Sequence, residues 1–174
     1  MSLDALREAI PDYAKDIRLN LGTLAAETLL SDQQKFGAFL ASAHGARNKR
    51  VIDAISQWTD DKLSSEAKNA ARSAAAVMAM NNVYYRAVHL MASDEYGKMP
   101  AKLRMNVIGA PGVEKVDFEL WALAVSAING CGMCLDSHEK VVRKGGLSAD
   151  QIQAALRIAA TVNAAAAVMD AESD

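Results

Sequence analysis

Residues 119–138 read E-L-W-A-L-A-V-S-A-I-N-G-C-G-M-C-L-D-S-H. The stretch holds both cysteines of the chain, Cys131 and Cys134, in a C-x-x-C, with His138 four residues further on. On an α-helix the spacing i, i+3, i+7 puts all three side chains on one face. Asn129-Gly130, just before them, is a breaker that supplies the unusual backbone angles needed to end one helix and begin another. Cys131 would then open the second helix. Free N–H groups and the positive end of the dipole there favour an anionic side chain, and so a thiolate. One helical turn between the sulfurs also leaves them within reach of a disulfide.

Glu119 needs a bend to matter. Twelve residues of unbroken helix would hold it roughly 18 Å from Cys131. If the chain doubles back at Asn129-Gly130, the two helices form a hairpin and Glu119 returns to the level of His138. Carboxylate, imidazole and thiol then stand in order, as they do wherever a base must take a proton from a nucleophile and be held in one tautomer. The hairpin is thus the expectation on which the site depends.

Composition fits a helical setting. The chain has 174 residues, enough for one domain with a substantial core, and is 51% hydrophobic but only 5% aromatic, with alanine dominating. Alanine-rich, β-branch-poor sequence favours closely packed helices over sheets. A formal net charge of −2 with mixed signs argues against nucleic acid or an anionic membrane as partner. The polar start has no apolar core of a signal peptide. The longest apolar runs, 120–128 and 158–169, are short or broken by Thr161 and Asn163, so no membrane span is expected. Two cysteines in a reducing compartment indicate redox or metal chemistry rather than a structural staple. A cytoplasmic all-α domain is the expectation.

Along the chain, Ser2 caps a first short helix and Pro11 leads into one through Tyr13, Ile17 and Leu21. Ser31 to Gln34 and Ser148 to Gln151 are capping boxes. Residues 48–58 are amphipathic through Val51, Ile52 and Ile55. Ser64 caps a long helix to about Leu90 that is apolar all round between Ala70 and Met80, which suggests burial. Residues 93–100 read as a polar turn, Pro100 as the start of a short helix through Leu103 and Val107, and 109–112 as a loop. Gly145-Gly146 ends the cysteine helix, and the last helix runs to about Ala171. A shift of 84 residues superposes Ser42-Ala43 on Ser126-Ala127 and Leu63-Ser64 on Leu147-Ser148. An internal duplication is expected, a degenerate half of about 1–92 and a catalytic half of about 93–174 within one domain spanning 1–174. In that register Arg47 and Arg50 replace the cysteines, Lys35 replaces Glu119 and Ala54 replaces His138.

The pattern of Glu119, Cys131-x-x-Cys134 and His138 resembles the active site of the alkyl hydroperoxidase D (AhpD) family. That family lies within the all-helical carboxymuconolactone decarboxylase-like superfamily. The likeness extends to P-D-Y-A-K-D-I-R-L-N-L at 11–21, M-N-N-V-Y-Y-R at 80–86, R-M-N-V-I-G-A-P-G-V at 104–113 and the run at 118–131. One position departs: a histidine often precedes the second cysteine in this family, and here it is Met133.

The resemblance implies an AhpD-like helical fold and a thiol-dependent peroxidase or disulfide reductase with catalytic Glu119, Cys131, Cys134 and His138. Cys131 and Cys134 form the redox disulfide. It implies no tightly bound cofactor, dihydrolipoamide on a lipoylated acyltransferase as electron donor, the peroxiredoxin AhpC and organic hydroperoxides as partners, and a homotrimer. Either cysteine could attack first: proximity to His138 favours Cys134, the helix terminus favours Cys131. The main alternative is a zinc module built from Cys131, Cys134, His138 and Glu119. It lacks the second C-x-x-C or H-x-x-x-H that makes such sites convincing. A thioredoxin-like reading would need a β-sheet, and a lactone decarboxylase would not need the paired cysteines. His44 and His89 read as structural, Asp136 and Glu139 as solvated faces, Trp58 and Trp121 as core or subunit contacts, and Met78, Met80, Met91 and Met169 as core filler.

Overall fold

Small side chains let helix axes approach closely, and the computed structural model, which describes residues 2–172, is built that way. Among those residues there are nine α-helices and no strand. They are α1 (Leu3–Ala9), α2 (Lys15–Ala25), α3 (Asp32–Ala46), α4 (Lys49–Thr59), α5 (Ser65–Leu90), α6 (Glu95–Lys98), α7 (Lys115–Ile128), α8 (Gly132–Lys144) and α9 (Ala149–Ala171). The all-α expectation holds, and the thioredoxin-like reading has no sheet to stand on.

The capping residues read from sequence do their work. Ser31 and Ser148 each form a full capping box with Gln34 and Gln151. Ser2 and Ser64 accept from the backbone N–H groups of Ala5 and Ala67 at 3.1 Å. Each cap is worth about 1 kcal/mol. Helix α7 is buried on every side because it is central: every residue from Asp117 to Ser126 is buried. It packs against α3, α5, α8 and α9. Its crossing with α3 depends on Gly37, where a Cβ would collide with the Trp121 ring. The Trp121 indole N–H donates to the Gln34 carbonyl oxygen at 3.1 Å.

Helix α9 departs from expectation. It is 23 residues long and reaches a mean hydropathy of 1.4, enough by length and composition to cross a membrane. Yet Ile158, Val162, Ala165 and Met169 are fully buried and the helix packs on α2, α3 and α7, so it serves as a core helix. Thr161 and Asn163 do not interrupt it, since a helix tolerates single polar residues.

Other expectations need correcting. No helix starts at Pro100: Lys102 adopts a left-handed φ of 53°, and only a 3₁₀ turn at Asn106–Ile108 forms. So short a segment makes too few hydrogen bonds to offset helix nucleation, although Met105, Val107 and Ile108 still pack on the core. The turn expected at 93–100 contains the single helical turn α6. Helix α2 is entered through a 3₁₀ turn at Asp12–Ala14, which leaves Tyr13 exposed. Helix α5 is not buried all round, since Ala76 and Ala79 face outward. Met91 is exposed and fills no core.

The order α3–α4–α5 is repeated by α7–α8–α9. Ser64 and Ser148, which cap the third helix of each set, stand 84 residues apart. The hairpin turns do not keep that register. Arg47 and Gly130, each left-handed (φ 69° and 66°), stand 83 apart. Asn48, not Arg47, therefore occupies the place of Cys131, and Phe36 and Ile55 replace Lys35 and Ala54 opposite Glu119 and His138. The N-caps of the second and third helices stand 16 residues apart in the first set (Asn48, Ser64) and 17 in the second (Cys131, Ser148).

Candidate functional site

Helix α7 ends at Ile128, and Asn129-Gly130 turns the chain back as expected, Gly130 taking the positive φ that favours glycine. The Cys131 N–H bonds the Ser126 carbonyl at 3.1 Å. Cys131 is the N-cap of α8, and its Sγ accepts from the Cys134 backbone N–H at 3.3 Å. The two cysteines form a disulfide with Cα atoms 5.3 Å apart.

Helix α5 clamps this turn. The Arg86 guanidinium donates to the Asn129 carbonyl oxygen. The Asn82 amide donates to Ser126 Oγ at 2.9 Å and accepts from Asn129 Nδ2 at 2.9 Å. Arg47, from the opposite hairpin, donates to Asn129 Oδ1 at 3.3 Å. The turn that leads into α8 is thus held from α5 and from the opposite hairpin.

The bend brings Glu119 back to His138, with Oε2 2.6 Å from Nδ1. Only 3% of Glu119 and 7% of His138 is exposed. A carboxylate that deep would be costly alone, and the ring nitrogen is the partner that makes it tolerable. The other ring nitrogen, Nε2, lies 3.2 Å from Met78 Sδ. A cavity of about 340 Å³ opens over the pair, lined by Met78, Tyr85, Ile108, Met133, Cys134 and His138 among others. Cys134 lines it and keeps 6% exposure, whereas Cys131 is fully enclosed. Three of the four residues singled out in the sequence, Glu119, Cys134 and His138, therefore line one small, largely apolar chamber, and Cys131 lies behind Cys134, bonded to it.

Neither of the other histidines joins them. His44 is half-buried near the end of α3, and burial, then the charge of Arg72, lowers its pKa below the ordinary 6.5. His89 is exposed on α5. Among the described residues no group of three or more His, Cys, Asp or Glu side chains is placed to hold a metal ion. In this structure the four residues of the zinc reading are not arranged as a ligand set, since each sulfur is bonded to the other and Glu119 faces Nδ1.

Sequence reasoning passed over Met78, Asn82 and Arg86. Met78 is no mere filler, since its sulfur touches His138. A signal was present: the three are spaced i, i+4, i+8, so they share one stripe of the helix, with Asn82 and Arg86 just beyond the stretch read as apolar.

Comparison with known proteins agrees with this geometry. The profile of the Carboxymuconolactone decarboxylase family matches residues 94–173. Alkyl hydroperoxide reductase AhpD of Hyphomonas neptunium is 64% identical over 99% of this chain and 96% of that protein. The proteins of the same name from Maricaulis maris and Streptomyces avermitilis are 60% and 57% identical, each over 99% of this chain and 100% and 98% of their own. With such likeness along its whole length, and with the cysteine pair, histidine and glutamate gathered in one site, the chain belongs to the AhpD family of alkyl hydroperoxide reductases.

Proposed function

We propose that the protein reduces organic hydroperoxides through a Cys131/Cys134 dithiol–disulfide cycle driven by a Glu119–His138 proton relay. The observation that carries this reading is the buried 2.6 Å contact between Glu119 and His138 beside a cavity that reaches Cys134. The carboxylate fixes the ring, and His138, directly or through a water, takes the Cys134 proton. The thiolate attacks the terminal peroxide oxygen, the O–O bond breaks, the alcohol leaves, and Cys134 becomes a sulfenic acid. Cys131 then attacks that sulfur, expelling water and closing the disulfide. Cys134 is given the attacking role because it lines the cavity; Cys131, enclosed and capping α8, suits the resolving role.

A dithiol reopens the bond by exchange. The donor proposed is dihydrolipoamide carried on a lipoylated acyltransferase, and the reduced centre in turn serves the peroxiredoxin AhpC. The setting proposed is the cytoplasm, and the assembly a homotrimer. The test is peroxide consumption with reduced lipoamide as donor, comparing the unaltered protein with Cys131→Ser, Cys134→Ser, His138→Phe and Glu119→Phe. Turnover retained in both serine variants would sink the cycle.

A further inference from the structure

We infer that Met78 is a positioning residue that holds a proton on His138 Nε2 while the disulfide is closed. The reasoning begins with the two ring nitrogens. Nδ1 faces the Glu119 carboxyl at 2.6 Å and Nε2 faces the Met78 thioether at 3.2 Å. A thioether sulfur has no proton and acts only as a weak acceptor. An unprotonated Nε2 would set lone pair against lone pair at that distance, in a site closed to water on that side, since Met78 is 1% exposed. A protonated Nε2 turns the same contact into an N–H···S hydrogen bond. This holds wherever the proton between Glu119 and Nδ1 resides. Met78 is fixed in turn: it lies on the buried face of α5, and the Asn82 amide reaches its sulfur at 3.7 Å.

The inference deepens the dithiol cycle proposed above and rests on it for its use. When a dithiol donor reopens the disulfide, its first thiolate attacks Cys134, the sulfur on the cavity. The S–S bond breaks and its electron pair leaves on Cys131, which takes a solvent proton. The donor's second thiolate then attacks the donor sulfur, closing the donor's own disulfide and releasing Cys134 as a thiolate. Cys134 takes the Nε2 proton. The donor loses two thiol protons to solvent, Cys131 recovers one, and the imidazole supplies the other, so one proton is released overall. His138 is left with a free Nε2 opposed by the Met78 sulfur, a state that favours retaking the Cys134 proton in the next cycle. In the oxidised protein Met78 therefore keeps the proton on His138, which lines the same cavity as Cys134.

The experiment uses the full chain with ¹⁵N-labelled histidine, in the oxidised form, reading the ring nitrogens by long-range ¹H–¹⁵N correlation. The chain has only three histidines, and variants of His44 and His89 assign the third set of signals. The expected result is a protonated Nε2 in the unaltered protein. Met78→Leu, a swap that conserves volume and is usually tolerated, should shift the His138 signals toward an unprotonated Nε2. It should also slow reduction of the disulfide by dithiothreitol about two- to fivefold, the scale of a weak hydrogen bond. Met78→Gln, which restores an acceptor, should recover the protonated signature. An unprotonated Nε2 in the unaltered protein overturns the inference, as do signals and reduction rate left unchanged by Met78→Leu. Because neither readout uses peroxide, a protein that showed the Met78-dependent signature yet failed to consume peroxide would overturn the proposed function alone.

Discussion

Two hairpins in this molecule share a backbone design and differ in chemistry. In the first, α3 passes to α4 through left-handed Arg47 and the N-cap Asn48, whose Oδ1 accepts from the Val51 N–H at 3.0 Å. In the second, α7 passes to α8 through left-handed Gly130 and Cys131, whose Sγ accepts from the Cys134 N–H at 3.3 Å. Val51 and Ile55 point inward from α4 and are fully buried, where α8 presents Cys134 and His138. Phe36 stands on α3 where α7 carries Glu119. The first hairpin uses its inward face for packing, and the second uses the same face for a disulfide sulfur, an imidazole and a carboxyl group around a cavity. A sulfur in a capping position is a weak cap. What it gains is a place at the dipole's positive end, and the turn is held instead by Asn82, Arg86 and Arg47.

That contrast can be broken at its reactive end first. Cys134→Ser should reduce peroxide turnover to background, a loss well beyond about a hundredfold, measured with a dithiol donor in excess. Cys131→Ser should abolish the catalytic disulfide while leaving thermal stability equal to that of the reduced protein, because serine is the better cap. Glu119→Gln keeps the shape but not the charge facing Nδ1. Turnover should fall about a hundredfold, in line with the weight of general-base catalysis, and circular dichroism should stay helical.

The first hairpin should answer in stability and not in rate. Gly37→Ala forces a methyl into the Trp121 ring at the α3–α7 crossing. Overpacking of this kind costs about 1–3 kcal/mol, a denaturant midpoint shift that urea titration would resolve. Asn48→Ala removes a cap and the 2.7 Å bond from Asn48 Nδ2 to Asp170, and should cost about 1 kcal/mol. Were Asn48→Ala to depress turnover more than stability, the division of labour between the hairpins would be wrong.

The smallest effect concerns pH. His44 has its pKa lowered by burial and by Arg72. Its neutral form is favoured in the folded chain, so the unfolded chain binds the extra proton. Its contribution to stability is complete above the unfolded value near 6.5 and is lost as pH falls through the folded value. His44→Leu should flatten the fall in melting temperature on the acid side of pH 6.5 and leave neutral-pH stability nearly unchanged.

The site was legible because its spacing is local. Cys131, Cys134 and His138 share a helix face by register alone, and Asn129-Gly130 marks its own bend. Serine caps and glycine stops are equally local, which is why the ends of α3, α5, α8 and α9 fall where the residues indicate. What went unread was decided between elements. Pro100 looks like a helix start, yet its neighbours gain more by laying Met105 and Val107 on the core. Met78 looks like filler until α5 is set against α8. The hairpin register of 83 was masked by alanines that match at any nearby shift.

Residue order by itself therefore determined most of the helices, the bend and the common face of Cys131, Cys134 and His138, because hydrogen-bonded turns and helical periodicity are properties of adjacent residues. Tertiary structure alone decided how deeply Glu119 is buried, which sulfur meets the cavity, and what faces the outer nitrogen of His138. Those depend on how α5, α7 and α8 pack in three dimensions, and the distances involved arise between residues that are far apart in the chain.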